Sequence, residues 1–185
     1  MDDAPETPAP APSGAPLGRQ ARLAVMALAV CALGALFWPR GSGDTAPAGL
    51  LLDASGRSAT LGAHMAPVSL VHFWATWCPP CLTEIPAIQR LAAELSGEPG
   101  FGLVLVAVAD DRDKVRSLMG EASNVVLHDT NWEVARRYGT KQLPETYLVV
   151  DGKVVEKWVG ATDWDAPAQR AKVRAHLAGA AKPAA

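Results

Sequence analysis

The stretch Val68–Cys81, VSLVHFWATWCPPC, constrains this chain more than any other, because its structural period changes there and two cysteines sit at the change. Val68–Trp74 is rich in β-branched and aromatic side chains, the pattern of a strand buried on both faces. From Pro79 onward Leu82, Ile85, Ile88, Leu91 and Leu95 recur at steps of three and four, which predicts a helix. Ser96-Gly97 and Pro99-Gly100 stop it. A buried strand feeding directly into a helix is the opening of a parallel crossover unit.

The following residues continue the theme. Leu103–Ala109 reads as a second buried strand, Arg112–Met119 as a helix and Val125–His128 as a short strand. Trp132–Tyr138 is expected to be helical, with Asn131 or Thr130 as its N-cap and Gly139 just past its end. Tyr147–Val150 and Val154–Val159 flank Asp151-Gly152, a hairpin turn signal. A final helix is expected over about Asp165–Leu177, and LLDASGRSATL reads as two short extended pieces around a Ser-Gly turn. Crossovers followed by a hairpin and a terminal helix give an α/β fold with a central mixed sheet flanked by helices, occupying residues 50–180.

The N-terminal region has a different character. Residues 1–18 are dominated by Pro, Ala, Gly, Ser and acids and are expected to be a disordered tail. Leu23–Trp38 then carries no charge and is bracketed by Arg19, Arg22 and Arg40. As a helix it spans roughly 24 Å against a hydrocarbon core of ~30 Å, a gap that snorkelling Arg22 and Arg40 and an interfacial Trp38 can close. Residues 19–40 are therefore expected to be a single transmembrane signal anchor, and 41–49 (GSGDTAPAG) a linker. A cleaved signal peptide is the rival, but Ala46-Pro47-Ala48 lies far beyond the apolar run, and Val30 is too large to precede a lipidated Cys31. The arginine balance places the N-terminus in the cytoplasm and the folded domain across the membrane. A net charge of −2 and the lack of a basic run argue against a nucleic-acid binder.

The chemistry centres on Trp77-Cys78-Pro79-Pro80-Cys81. A cysteine at a helix N-terminus faces free N–H groups and the positive end of the helix dipole, which favours its thiolate, the attacking species in disulfide exchange. The second cysteine lies one turn along, within reach of an intramolecular disulfide. Cys78 is thus the expected nucleophile and Cys81 the resolving thiol. Structural zinc would need two further ligands, and His64, His72, His128 and His176 are scattered, so no metal site is expected. A purely structural cross-link is unattractive because so short a loop restrains the unfolded chain little. Pro79-Pro80 removes two N–H donors that could have stabilised a Cys78 thiolate, which predicts a reducing rather than a strongly oxidising pair.

The segments HFWATWCPPCLTEIPAIQRL and DTNWEVARRYGTKQLPETYLVVDGKVV resemble the membrane-anchored bacterial thioredoxin-like proteins of the TlpA, ResA and CcmG group, and the resemblance runs from about Leu50 to Leu177. It implies a thioredoxin-like fold and a thiol–disulfide oxidoreductase of the protein-disulfide reductase type, with the Cys78–Cys81 disulfide as redox centre and no cofactor. It implies that Trp77 is the aromatic before the pair, Pro86 the proline of the active-site helix, and Pro144 a cis-proline against the disulfide. The peptide at Leu143 would then hydrogen-bond a client strand. Glu84 matches a glutamate that influences the thiols in ResA-like members, against the plainer reading of a solvated helix charge. His72 departs from the pattern, since thioredoxins carry a buried acid there and the anchored relatives commonly a neutral polar residue; it is either a proton relay or a core histidine held by one hydrogen bond. Implied partners are disulfide-bearing periplasmic proteins (apocytochrome c, copper-site or metallochaperone cysteines) and a membrane thiol electron donor, with the domain on the periplasmic side of a bacterial inner membrane. A copper-carrying thiol module and a disulfide-donating oxidant are the alternatives.

Overall fold

The structure, a computed structural model, describes residues 49–120 and 125–180. The expected tail at 1–18, the anchor at 19–40 and all of the 41–49 linker but Gly49 lie outside them. Among the described residues no helix is long and apolar enough to cross a membrane.

Strand β3 (Val68–Trp74) is buried at all seven positions, as its composition predicts. It pairs in parallel with β4 (Phe101–Val108) and antiparallel with β6 (Glu145–Val150). Outside these lie β1 (Leu50–Leu52), β2 (Ser58–Thr60), β5 (Val125–Asp129) and β7 (Lys153–Val159). The seven strands form one mixed sheet in the order β2-β1-β5-β4-β3-β6-β7. Helix α1 (Pro79–Leu95) crosses between β3 and β4, and α2 (Arg112–Met119) follows β4. A short α3 (Glu133–Arg137) follows β5, and α4 (Pro167–Ala180) comes last. This is the thioredoxin-like α/β arrangement.

Alternation along β3 divides the core in two. Val68, Leu70 and Trp74 pack with Ile85, Ile88, Leu91 and Leu95 of α1 and with Val173 and Leu177 of α4. Val71 and Phe73 face the other way, among Val104, Val106, Tyr138 and Tyr147. Both faces being covered explains why β3 lacks the polar alternation of a half-solvated strand. The buried stripe of α1 is Cys81, Glu84, Ile85, Ile88, Leu91, Ala92 and Leu95. Leu82, expected on that stripe, is 38% exposed, and Glu84 takes an inward place instead. At 100° per residue, Leu82 lies off an axis set by Cys81, Ile85 and Ile88.

Two ends differ from the sequence expectation. Helix α3 begins at Glu133 rather than Trp132, which sits in the left-handed region at φ 60°. Neither Asn131 nor Thr130 caps it: the Asp129 carboxylate accepts the N–H groups of Glu133 and Ala135, each at 2.8 Å. The terminal helix runs Pro167–Ala180, displaced toward the C-terminus. Asp151 and Gly152 both adopt positive φ, 47° and 75°, between β6 and β7, as a primed hairpin turn requires.

Leu91 is fully buried between α1 and the sheet. Leu91→Ala should destabilise the domain by about 2–5 kcal/mol through lost burial and a residual cavity, read as a lower midpoint in urea unfolding with little change in slope.

Candidate active site

Cys78 is the N-cap of α1, in extended backbone at φ −104°, ψ 98°. Pro79 and Pro80 fill the first two helical positions without N–H groups, so the first available donor belongs to Cys81. That N–H points at Cys78 Sγ, 3.3 Å away, while the Cys78 N–H donates to Ala75 O at 3.2 Å. The sulfur thus occupies the place where a serine or aspartate oxygen usually caps a helix. Cys78 and Cys81 are joined, S–S 2.06 Å. Their accessibility differs in kind: Cys78 is 5% exposed and Cys81 is 0% exposed. Cys78 is thus the more accessible residue of the pair.

The loop before Cys78 is fastened to the end of β4. Asp110 accepts the Thr76 N–H at 2.5 Å and the Thr76 hydroxyl at 2.7 Å. The Trp77 indole N–H donates to Ala109 O at 3.1 Å, and Ala109, at φ 47°, donates its own N–H to Asp129 O at 2.9 Å. The indole is held at one edge while the residue stays 55% exposed, leaving an apolar surface beside the reactive sulfur.

The Leu143–Pro144 peptide is cis. Register places Glu145 opposite Phe73, so this peptide lies at the end of β3 that leads to Cys78. Pro144 O accepts the Gly160 N–H at 2.9 Å, and Leu143 packs against both core clusters. The buried Glu145 accepts Tyr147 OH at 2.8 Å and pairs with Lys157 at 2.9 Å. Tyr147 OH lies 3.0 Å from Thr140 Oγ1. This network anchors both ends of the segment carrying the cis peptide.

Glu84 and His72 lie beneath α1. Glu84 is 4% exposed, which removes the solvated-charge reading. Its Oε1 accepts the Trp164 indole N–H at 2.9 Å and its Oε2 the Thr162 N–H at 2.8 Å. Burial raises its pKa, and the bonds from Trp164 and Thr162 oppose that rise. His72 is fully buried, with Nδ1 2.9 Å from Thr146 Oγ1, its direct cross-strand neighbour, and 3.6 Å from Glu84 Oε1. Burial depresses its pKa to about 3. Pro86 lies inside α1, two residues beyond Glu84. Among the described residues no group of three or more His, Cys, Asp or Glu side chains is arranged to hold a metal.

Sequence reasoning did not single out Asp110, Thr76, Thr146, Thr162 or Trp164. Asp110 alone carried a signal: it follows the C-terminal end of a buried parallel strand, where α/β proteins place functional residues.

A sheet of this topology with a capped cysteine pair at the start of α1 and a cis-proline alongside defines a thioredoxin-fold redox protein. The family model described as Redoxin matches residues 41–177, and the chain belongs to that family as a thiol–disulfide oxidoreductase. It is 31% identical over 151 residues to thiol-disulfide oxidoreductase ResA of Bacillus subtilis, covering 75% of this chain and 83% of that one. A DsbE homologue of Paracoccus denitrificans, a thiol:disulfide interchange protein, is 32% identical over 94 residues, about half of each chain (50% and 51%). A solved DsbE-type structure from Chlorobium tepidum superposes with a TM-score of 0.61 at 27% identity, covering 76% of this chain and 97% of that one.

Pro80→Ala restores an N–H at the second helical position, where it can point at Cys78. In the reduced protein, with Cys31→Ser as background, the pH midpoint of Cys78 alkylation should fall by about one unit, the worth of one hydrogen bond to a charged sulfur.

Proposed function

We propose that this chain reduces disulfides of partner proteins outside the bacterial cytoplasm, with Cys78 as nucleophile and Cys81 as resolving thiol. The unequal exposure of the two cysteines, together with Cys78 standing at the N-terminus of α1, supports the assignment. The Cys78 thiolate attacks one sulfur of a client disulfide, forming a Cys78–client bond and releasing the other client sulfur as a thiolate. Cys81, deprotonated, then attacks Cys78 Sγ, closing the intramolecular disulfide and releasing the second client thiolate. Two electrons pass from the dithiol to the client, and the two client thiolates take up the protons. A membrane thiol donor restores the dithiol by the reverse exchange. No cofactor takes part.

The direction rests on Pro79 and Pro80, which leave the Cys78 sulfur only one nearby helix donor, so the thiolate is less favoured than in a strong oxidant. Leu143, before the cis-proline, offers its backbone to an extended client segment, and the exposed Trp77 face covers that segment's apolar side chains. Clients are the paired cysteines of apocytochrome c, copper sites or metallochaperones. Residues 19–40 hold the chain in the inner membrane with the domain in the periplasm.

The test is the equilibrium reduction potential of the purified full-length chain against glutathione and dithiothreitol buffers, together with Cys81→Ser capture of clients. A reducing value, with mixed disulfides accumulating on Cys81→Ser and absent from Cys78→Ser, is expected. A strongly oxidising value would make the protein a disulfide donor. Tight cuprous binding without turnover of a disulfide substrate would make it a copper-carrying module.

A further inference from the structure

A second cluster of ionisable side chains lies where α2, β5 and the β1–β2 turn meet. Arg112, Val115, Arg116 and Met119 recur at helical spacing and form one wall of a cavity of about 120 Å³. His128 of β5 and Ala54 of the turn line it as well. That volume is well below the ~300–1,000 Å³ of sites for drug-sized ligands, so a fitting occupant is small. None of these residues takes part in the exchange chemistry described above.

We propose that this cavity is a binding site for a small phosphate-type oxyanion, held by Arg112, Arg116 and His128. The proposal is independent of the redox assignment.

Donors at this site outnumber acceptors. Arg112 has neither a carboxylate nor a hydrogen-bond partner among the described residues. Its guanidinium rests on Gly56, where an added Cβ would lie 2.0 Å from Nη1; glycine at φ 85° permits both the turn and the approach. Arg116 is anchored at its two terminal nitrogens, one donating to Asp113 Oδ1 at 3.0 Å and the other to Ala54 O at 3.3 Å. Those bonds hold the guanidinium against the turn and use only part of its five N–H groups.

His128 points to what is missing. It is 3% exposed, and its Nδ1 is buried with no hydrogen-bond partner among the described residues. A neutral imidazole carries one N–H and one lone pair, and leaving either unmet in the interior is costly. The neighbouring guanidiniums only donate, so the cluster lacks an acceptor. An oxyanion with three or more oxygens matches the two guanidiniums and the imidazole one for one, whereas a carboxylate has two oxygens for three donor groups.

The nearby carboxylates are engaged elsewhere. Asp53 accepts the Ser55 N–H and hydroxyl and pairs with Arg57, and Asp110 holds Thr76. Asp111 caps α2, and Asp113 answers Arg116 alone. From the flanking strands, the register neighbours of His128 are the uncharged Leu52 and Ala107. Burial and then the Arg112 charge lower the His128 pKa, Arg116 adding to the fall while Asp110 and Asp53 oppose it. A bound anion would act in the same sense as those two carboxylates and raise it.

The test uses the oxidised full-length chain with Cys31→Ser as background. Inorganic phosphate is titrated in at constant ionic strength near pH 7 while the imidazole protons of the four histidines are followed by NMR. One resonance, the one lost in His128→Gln, should shift with saturation, and its pH midpoint should rise by about half a unit or more at saturating phosphate. Arg112→Gln should weaken binding by about tenfold, the loss of one charge-assisted hydrogen bond. Lys114→Gln, on α2 but off the cavity, should change it by less than about twofold, as expected for a screened surface charge. Arg112 is exposed, so its variant carries the test if His128→Gln fails to fold. Glycerophosphoglycerol, the diester headgroup of an anionic phospholipid, is titrated alongside. Tighter binding of the diester would identify a lipid headgroup as the source, and tighter binding of inorganic phosphate a free or monoester phosphate. Shifts that do not saturate, an equal response to chloride, or binding indifferent to Arg112→Gln would overturn the proposal.

Discussion

Both faces of β3 are covered and both of its edges are paired, so the strand cannot slide or rotate without opening both halves of the core. A one-residue slip would turn Leu70 and Trp74 away from α1 and bring Val71 and Phe73 toward it. The last residue of β3 is therefore a fixed point, and the active-site loop starts from it. Asp110 and Ala109 fix the same loop from β4, and Glu145 fixes the cis-proline segment from β6. Three adjacent strands thus place Trp77, Cys78 and Pro144 at one end of the sheet.

The same rigidity governs the buried polar groups. Register sets Thr146 directly across from His72, which makes their 2.9 Å contact a property of the sheet rather than of two side chains that happen to meet. Glu84 is held from α1 and from the segment before α4, so its carboxylate links the active-site helix to a distant part of the chain. A charge in such a place interacts strongly with its neighbours because little water is present to screen it.

The parts legible in the sequence were those governed by local rules. The change of period at Pro79, the buried runs of β3 and β4 and the Asp151-Gly152 turn each follow from a few consecutive residues. The cis peptide at Pro144 was legible only through resemblance, since local sequence does not decide the isomer. What could not be read were partners far apart in the chain. The burial of Glu84 depends on Trp164 and Thr162, nearly eighty residues on, and the clamp on Thr76 depends on Asp110 across a crossover. The start of α3 was misplaced for a related reason. Capping rules look to the residue just before a helix, whereas Asp129 reaches over a left-handed Trp132 to do the work.

The narrow exposure of Cys78 also sets terms for the molecules it can attack. Disulfide exchange needs three sulfurs nearly in line, and Cys78 is only 5% exposed, next in the chain to the half-exposed Trp77. If the chain acts as the proposed reductase, so recessed a cysteine would favour clients whose backbone is still free, before any side chain is recognised.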